Sequence, residues 1–249
     1  TKGLTMKITT IKKLALVSAI AVCSSSVSAK ELWSDFSITA MTGADYLEPF
    51  SGEEDDRSVV TIEHASGHTW GGTFFFMDRL SNPDEVYGEL NINPTLYKPQ
   101  NSFVKEVFLG LQTEYGSGDT DQNNYLLGGG VSLDVPGFQY FNVAYYRRFQ
   151  DDIGIEREDN NQITVTWGYN KGNFRYDGFL DIVDSTDTMF GKSEGGFNFT
   201  SQLKYNIAPM LGLDTGRLDV GIEYVYWKNK FGVDGQTEHN PNLMVKWHF

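Results

Sequence analysis

The chain has one cysteine, Cys23, four histidines and seven prolines in 249 residues. It also lacks any long helix-period segment. Cys23 sits inside a segment read below as a discarded signal, so the remainder offers neither disulfide nor thiolate chemistry. Lipid anchoring through Cys23 is disfavoured by Val22, since lipid-modified cysteines usually follow Gly or Ala. Beyond residue 30 no apolar run approaches the ~18 residues that a membrane helix needs, and mean hydropathy is −0.36. This excludes a helical membrane protein but not a strand-based one. A transmembrane strand carries only about 9–11 alternating residues, and its hydropathy signal is weak.

Positive charge is scarce. Lys and Arg number 20 against 33 Asp and Glu, a net charge of −13, which excludes nucleic acid as a natural partner. Most of the basic clustering is at the start, in "MKITTIKKLALVSAIAVCSSSVSA". Lys7, Lys12 and Lys13 precede an apolar run from Leu14 to Val22, then small residues end at Val27-Ser28-Ala29. That is the layout of a secretory signal peptide. Residues 1–29 are therefore expected to be an N-terminal extension and signal, and residues 30–249 one β-barrel. Four lysines and no acid leave with the signal, so the remainder is still more acidic.

What is abundant is alternation. Aromatics are 14% of the chain and Gly numbers 26, within about twelve period-two segments. They lie near 33–43, 58–65, 69–78, 86–96, 104–115, 124–134, 138–150, 162–171, 173–184, 196–206, 217–230 and 239–249. Most match a tilted bilayer crossing in length. Odd-numbered connections are long and acidic, such as "YLEPFSGEEDD" and "QDDIGIEREDN". Even-numbered ones are mostly short, such as "SGH" and Pro136-Gly137, with "IAPMLGLDTG" the long exception. This asymmetry predicts an all-β, antiparallel up-and-down transmembrane β-barrel of about twelve strands in a bacterial outer membrane. A lipocalin-like barrel or a sandwich is the soluble alternative.

One face of the segments is apolar, as in Val107/Leu109/Leu111 and Leu243/Val245/Trp247/Phe249. The other carries Glu63, Glu89/Asn91/Asn93, Glu106/Gln112, Arg148, Arg175/Asp177, Thr200/Gln202/Lys204, Glu223 and Lys246. Alternation alone allows either face to point inward. Aromatics at strand ends (Tyr145, Trp167, Tyr169, Tyr226, Trp247) suit membrane-interface girdles and favour apolar-out. The ending "LMVKWHF" then reads as a closing strand paired with the first.

Several segments resemble the Tsx-type nucleoside-specific channels and related OmpK-like outer-membrane proteins. These are "VVTIEHASGHTWGGTFFFMDR", "YGELNINPTL", "FVKEVFLGLQTEYG" and "NFRYDGFLDIVDS". The resemblance is strongest between Val59 and Tyr115. It implies a monomeric twelve-stranded barrel passing nucleosides by passive diffusion, recognised through lumenal aromatic and ionisable groups. Matching positions are Phe74, Phe76 and Asp78, then Glu106 with Phe108. Two departures stand out: Asn91-Ile92-Asn93-Pro94 replaces acid-x-acid-Pro, and Phe74-Phe75-Phe76 replaces aromatic-Gly-aromatic. Phe249 resembles the terminal aromatic by which barrel-assembly machinery recognises its clients.

Twelve strands ~4.8 Å apart, tilted ~40°, close a circle roughly 24 Å across, leaving a narrow lumen once side chains project inward. Inward Phe74 and Phe76 would let a base stack, or would simply pack. Glu63, Asp78, Glu89 and Glu106 would accept hydrogen bonds from sugar hydroxyls, while Arg148, Arg175 and Lys204 would donate; Asn91 and Asp177 complete the substrate-binding set. The excess of lumenal acids suits neutral or cationic solutes. The same charges would also serve as an ion-paired plug, giving a sealed structural or receptor barrel. The acidic loops read as outer surface facing lipopolysaccharide, bridged by divalent cations. A lipid-modifying barrel enzyme is the third alternative, but His64, His68, His239 and His248 come with no G-x-S-x-G. The expectation is a non-enzymatic channel without cofactor or structural metal.

Overall fold

A computed structural model describes residues 29–117, 122–151 and 156–249. The signal segment up to Ser28 therefore lies outside the described residues. The described residues form fourteen strands: β1 (Glu31–Glu48), β2 (Glu53–His68), β3 (Gly71–Leu80), β4 (Glu85–Tyr97), β5 (Val104–Ser117), β6 (Gln122–Leu133), β7 (Phe138–Phe149), β8 (Asn160–Lys171), β9 (Phe174–Val183), β10 (Thr186–Thr188), β11 (Gly191–Ser193), β12 (Gly196–Asn206), β13 (Leu218–Lys228) and β14 (Thr237–His248). Twelve of them form one closed antiparallel barrel, and β10–β11 make a separate small hairpin. The twelve alternating segments of the sequence correspond one for one to the barrel strands.

Closure occurs between β1 and β14, with Ser37 opposite His248 and Thr42 opposite Leu243. Phe249 extends the seam: its N–H donates to the Phe36 carbonyl at 2.9 Å, and the two rings lie 5.4 Å apart. The last residue is thus held by both backbone and ring packing, and the barrel has no free edge.

The apolar face points outward. Ile38, Val60, Phe75, Leu90, Ile163, Leu203, Ile222 and Leu243 are all exposed. Large side chains are left in the open around the whole circumference, which a water-soluble barrel would not tolerate and a bilayer requires. Aromatics flank this band. Phe174 packs edge-on against Tyr205 at 4.9 Å toward the terminal side, while Phe197, Tyr226 and His239 cluster toward the other.

Two local expectations change. "YLEPFSGEEDD" is mostly strand rather than loop: Tyr46, Leu47 and Glu48 pair with Asp55, Glu54 and Glu53. Its acidic composition suits solvent, but tertiary partners fix it as a raised hairpin. The Leu47 N–H donates to Glu238 at 2.8 Å, Lys230 donates to the Leu47 carbonyl at 2.8 Å, and Arg57 lies over the Tyr46 ring. The long exception on the terminal side contains a short 3-10 helix, Ala208–Leu211.

Candidate functional site: the lumen

Register places every site residue named from sequence on the inner wall. Along one row across β2, β3, β4 and β5, Glu63 stands opposite Phe76, Phe76 opposite Glu89, and Glu89 opposite Glu114. In the next rows Phe74 lies between Ala65 and Asn91, and Asp78 between Thr61 and Tyr87. Phe74 and Phe76 have ring centroids 6.0 Å apart, and Phe76 and Tyr87 are 5.8 Å apart. Three rings therefore form a ladder with carboxylates on either side. All three are partly exposed and stand outside the buried apolar clusters of the wall.

The ionisable residues divide into two kinds. The cations are paired. Lys246 donates to Glu63 at 2.6 Å, Lys204 lies 2.7 Å from Asp177, and Arg175 donates to Asp219 at 2.9 Å. Arg148 donates to Glu114 at 2.5 Å. Glu106 accepts from Thr95 at 2.5 Å, with Lys98 more distant at 3.8 Å. By contrast Asp78, Glu89, Asp181 and Glu223 meet only neutral donors. These are Thr61 at 2.6 Å, Tyr87 and Gln112 at 2.7 and 2.8 Å, Thr164 at 2.5 Å and Gln202 at 2.8 Å. Among the described residues no cation lies within ion-pair distance of these four.

Part of the interior is packed. Phe108 belongs to a buried cluster with Leu126, Ala144 and Tyr146, so its ring is a wall-filling group in this structure. A second cluster joins Met41, Tyr46, Val59 and Met244. The lumen consequently has two apolar flanks and a polar, partly exposed remainder. At the terminal end a cavity of about 330 Å³ is lined by Asp35, Arg175, Arg217, His248 and Phe249 among others.

Glu114, Asp181, Asp219 and Tyr87 were absent from the sequence-derived set. Each is in phase with the polar face named from sequence (Glu114 two residues beyond Gln112, Asp181 four beyond Asp177), so carrying that alternation further along the strands would have found Glu114 and Asp181. The histidines are dispersed. His248 Nδ1 lies 2.9 Å from Asp35, and His239 meets the Tyr224 hydroxyl at 3.0 Å. Ser66 Oγ is 2.9 Å from His68, but its other neighbour is the Thr73 hydroxyl rather than a carboxylate.

Known structures share this fold. The KdgM porin superposes with a TM-score of 0.52 at 14% identity, covering 86% of this chain and 99% of that one. The NanC porin gives 0.53 at 11% identity, covering 85% and 98%. The architecture is that of bacterial outer-membrane β-barrels. No curated protein matches the sequence. Residues 45–249 match the family described as "Domain of unknown function (DUF5020)", and the chain belongs to that family.

Proposed function

We propose that the protein is a passive outer-membrane channel for nucleosides or similar small solutes that carry a flat ring and hydroxyl groups. The observation that carries this reading is the partly exposed Phe74–Phe76–Tyr87 ladder, flanked by Glu63, Glu89 and Asp78 on the lumenal wall. A base stacks on such rings, each contact contributing roughly 1–3 kcal/mol in other systems, while the carboxylates accept from sugar hydroxyls. Weak, repeated contacts of this kind let a solute both enter and leave. Two structures of like fold are named porins, and the Tsx-like rhythm between Val59 and Tyr115 supports nucleosides among the candidates. In this reading the protein works as a monomer, needs no cofactor and reaches the membrane through barrel-assembly machinery that engages Phe249. Its acidic loops face lipopolysaccharide.

Liposome swelling and single-channel recording test the proposal. Adenosine or thymidine at millimolar concentration should interrupt the current, and Phe74→Ala with Phe76→Ala should weaken that block at least tenfold. Unblocked current from the wild type would remove nucleosides from the reading. A second reading, a sealed structural or receptor barrel, is favoured by the two apolar clusters inside the wall. It expects neither swelling nor conductance.

A further inference from the structure

We propose that the middle of the lumen is a cation-selective filter, built from Asp78, Glu89, Asp181 and Glu223 with the amides of Asn240 and Asn242. The inference rests on the open-channel reading and adds to it the sign of the charge that passes. The four carboxylates come from the neighbouring strands β3 and β4 and, on another arc of the barrel, from β9 and β13 on either side of β12. Each faces the lumen by register, Asp78 opposite Thr61, Glu89 opposite Glu114, Asp181 opposite Thr164 and Glu223 opposite Gln202. The cations nearest to them, Arg148, Lys204 and Lys246, are each held by a different acid. Four lumenal carboxylates are thus left without a cation in ion-pair contact, and a mobile cation is the group that would pair with them.

A second, independent observation points the same way. Asn240 and Asn242 face inward from β14 and are wholly buried, yet no hydrogen bond reaches the oxygen or nitrogen of either side chain. The Tyr46 hydroxyl lies near Asn240. Buried amides are almost always bonded, so an unpartnered pair marks a place where water or a solute completes the set. Asn242 stands directly opposite Glu223 in the sheet. The two amide oxygens crowd together over Gly43, where any Cβ would collide with both. Two carbonyl oxygens and a carboxylate thus line one stretch of wall. An amide offers an acceptor and donors alike, and it is the Glu223 carboxylate beside Asn242 that favours a cation over an anion at this stretch.

The test is the reversal potential of the purified barrel in a planar bilayer under a tenfold KCl gradient. Wild type should be several-fold more permeant to K⁺ than to Cl⁻. The isosteric set Asp78→Asn, Glu89→Gln, Asp181→Asn and Glu223→Gln should bring the ratio near unity. Asn242→Leu should lower K⁺ conductance at least threefold. A current that reverses at zero or on the Cl⁻ side overturns the filter and leaves the channel reading standing. Absence of any current from wild type overturns the channel reading itself. Heat-modifiable migration on gels checks that variants fold. If the fourfold variant does not, Glu223→Gln alone must move the reversal potential toward zero, and an unchanged value counts against the filter.

Discussion

Gly110 and Gly130 show how single residues shape this lumen. A Cβ at Gly110 would run into the Tyr146 ring, and one at Gly130 into Phe108 and Ala144. Both glycines face inward beneath aromatic side chains, letting those rings lie flat along the wall instead of projecting across it. Their placement decides which part of the lumen is filled and which stays open. Gly110→Val is expected to force Tyr146 out of its site at a cost of about 1–3 kcal/mol, read as a lower urea midpoint for the folded barrel in lipid vesicles. An unchanged midpoint would mean that the ring relocates freely. Sequence marks Gly110, Gly128 and Gly130 only as small residues in phase with the lumen. Which ring lies over which glycine depends on the offset between neighbouring strands, and no local pattern records that offset. The same limit applies to Phe108. Its inward direction was legible, but its burial against Leu126 and Tyr146 was not.

At the scale of elements, β14 is the clearest case of a strand written in its sequence. Glu238, Asn240, Asn242, Met244 and Lys246 are buried inward, while His239, Pro241, Leu243, Val245 and Trp247 are exposed outward. Strict alternation survives to the carboxyl end because each face meets a different solvent, lumen on one side and lipid on the other. Leu243→Arg should therefore cost about 2–4 kcal/mol if that position lies near the bilayer midplane, measured by equilibrium refolding into vesicles. The raised β1–β2 hairpin is the opposite case. Its run Glu53–Asp56 reads as loop by composition, since four consecutive acids repel one another and prefer water. It is strand because Tyr46 and Leu47 are anchored by Arg57, Lys230 and Glu238, two of which lie some 180 residues away in sequence. Long-range anchors of this kind leave no trace in a local window.

For the whole molecule, the decisive contacts join the two ends of the chain. Lys246 on β14 reaches past β1 to Glu63 on β2, a separation of 183 residues, and the intervening strand is paired on both edges. The barrel cannot open at this seam without exposing two ladders of backbone groups to lipid, so closure and folding are coupled into one event. Lys246 is almost fully buried beside a partly exposed Glu63. Removing it strands a carboxylate that already shares the lumen with Asp78 and Glu223. Lys246→Ala should lower stability by about 1–3 kcal/mol, the usual cost of leaving a buried polar partner unsatisfied. Adding Glu63→Gln to Lys246→Met should recover much of that loss, because neutralising both partners leaves no orphan charge. The readout is the temperature at which the heat-modifiable form is lost on gels. If the single variant melts with the wild type, the ion pair contributes nothing to closure, and the seam is held by the β1–β14 ladder and the Phe36–Phe249 contact.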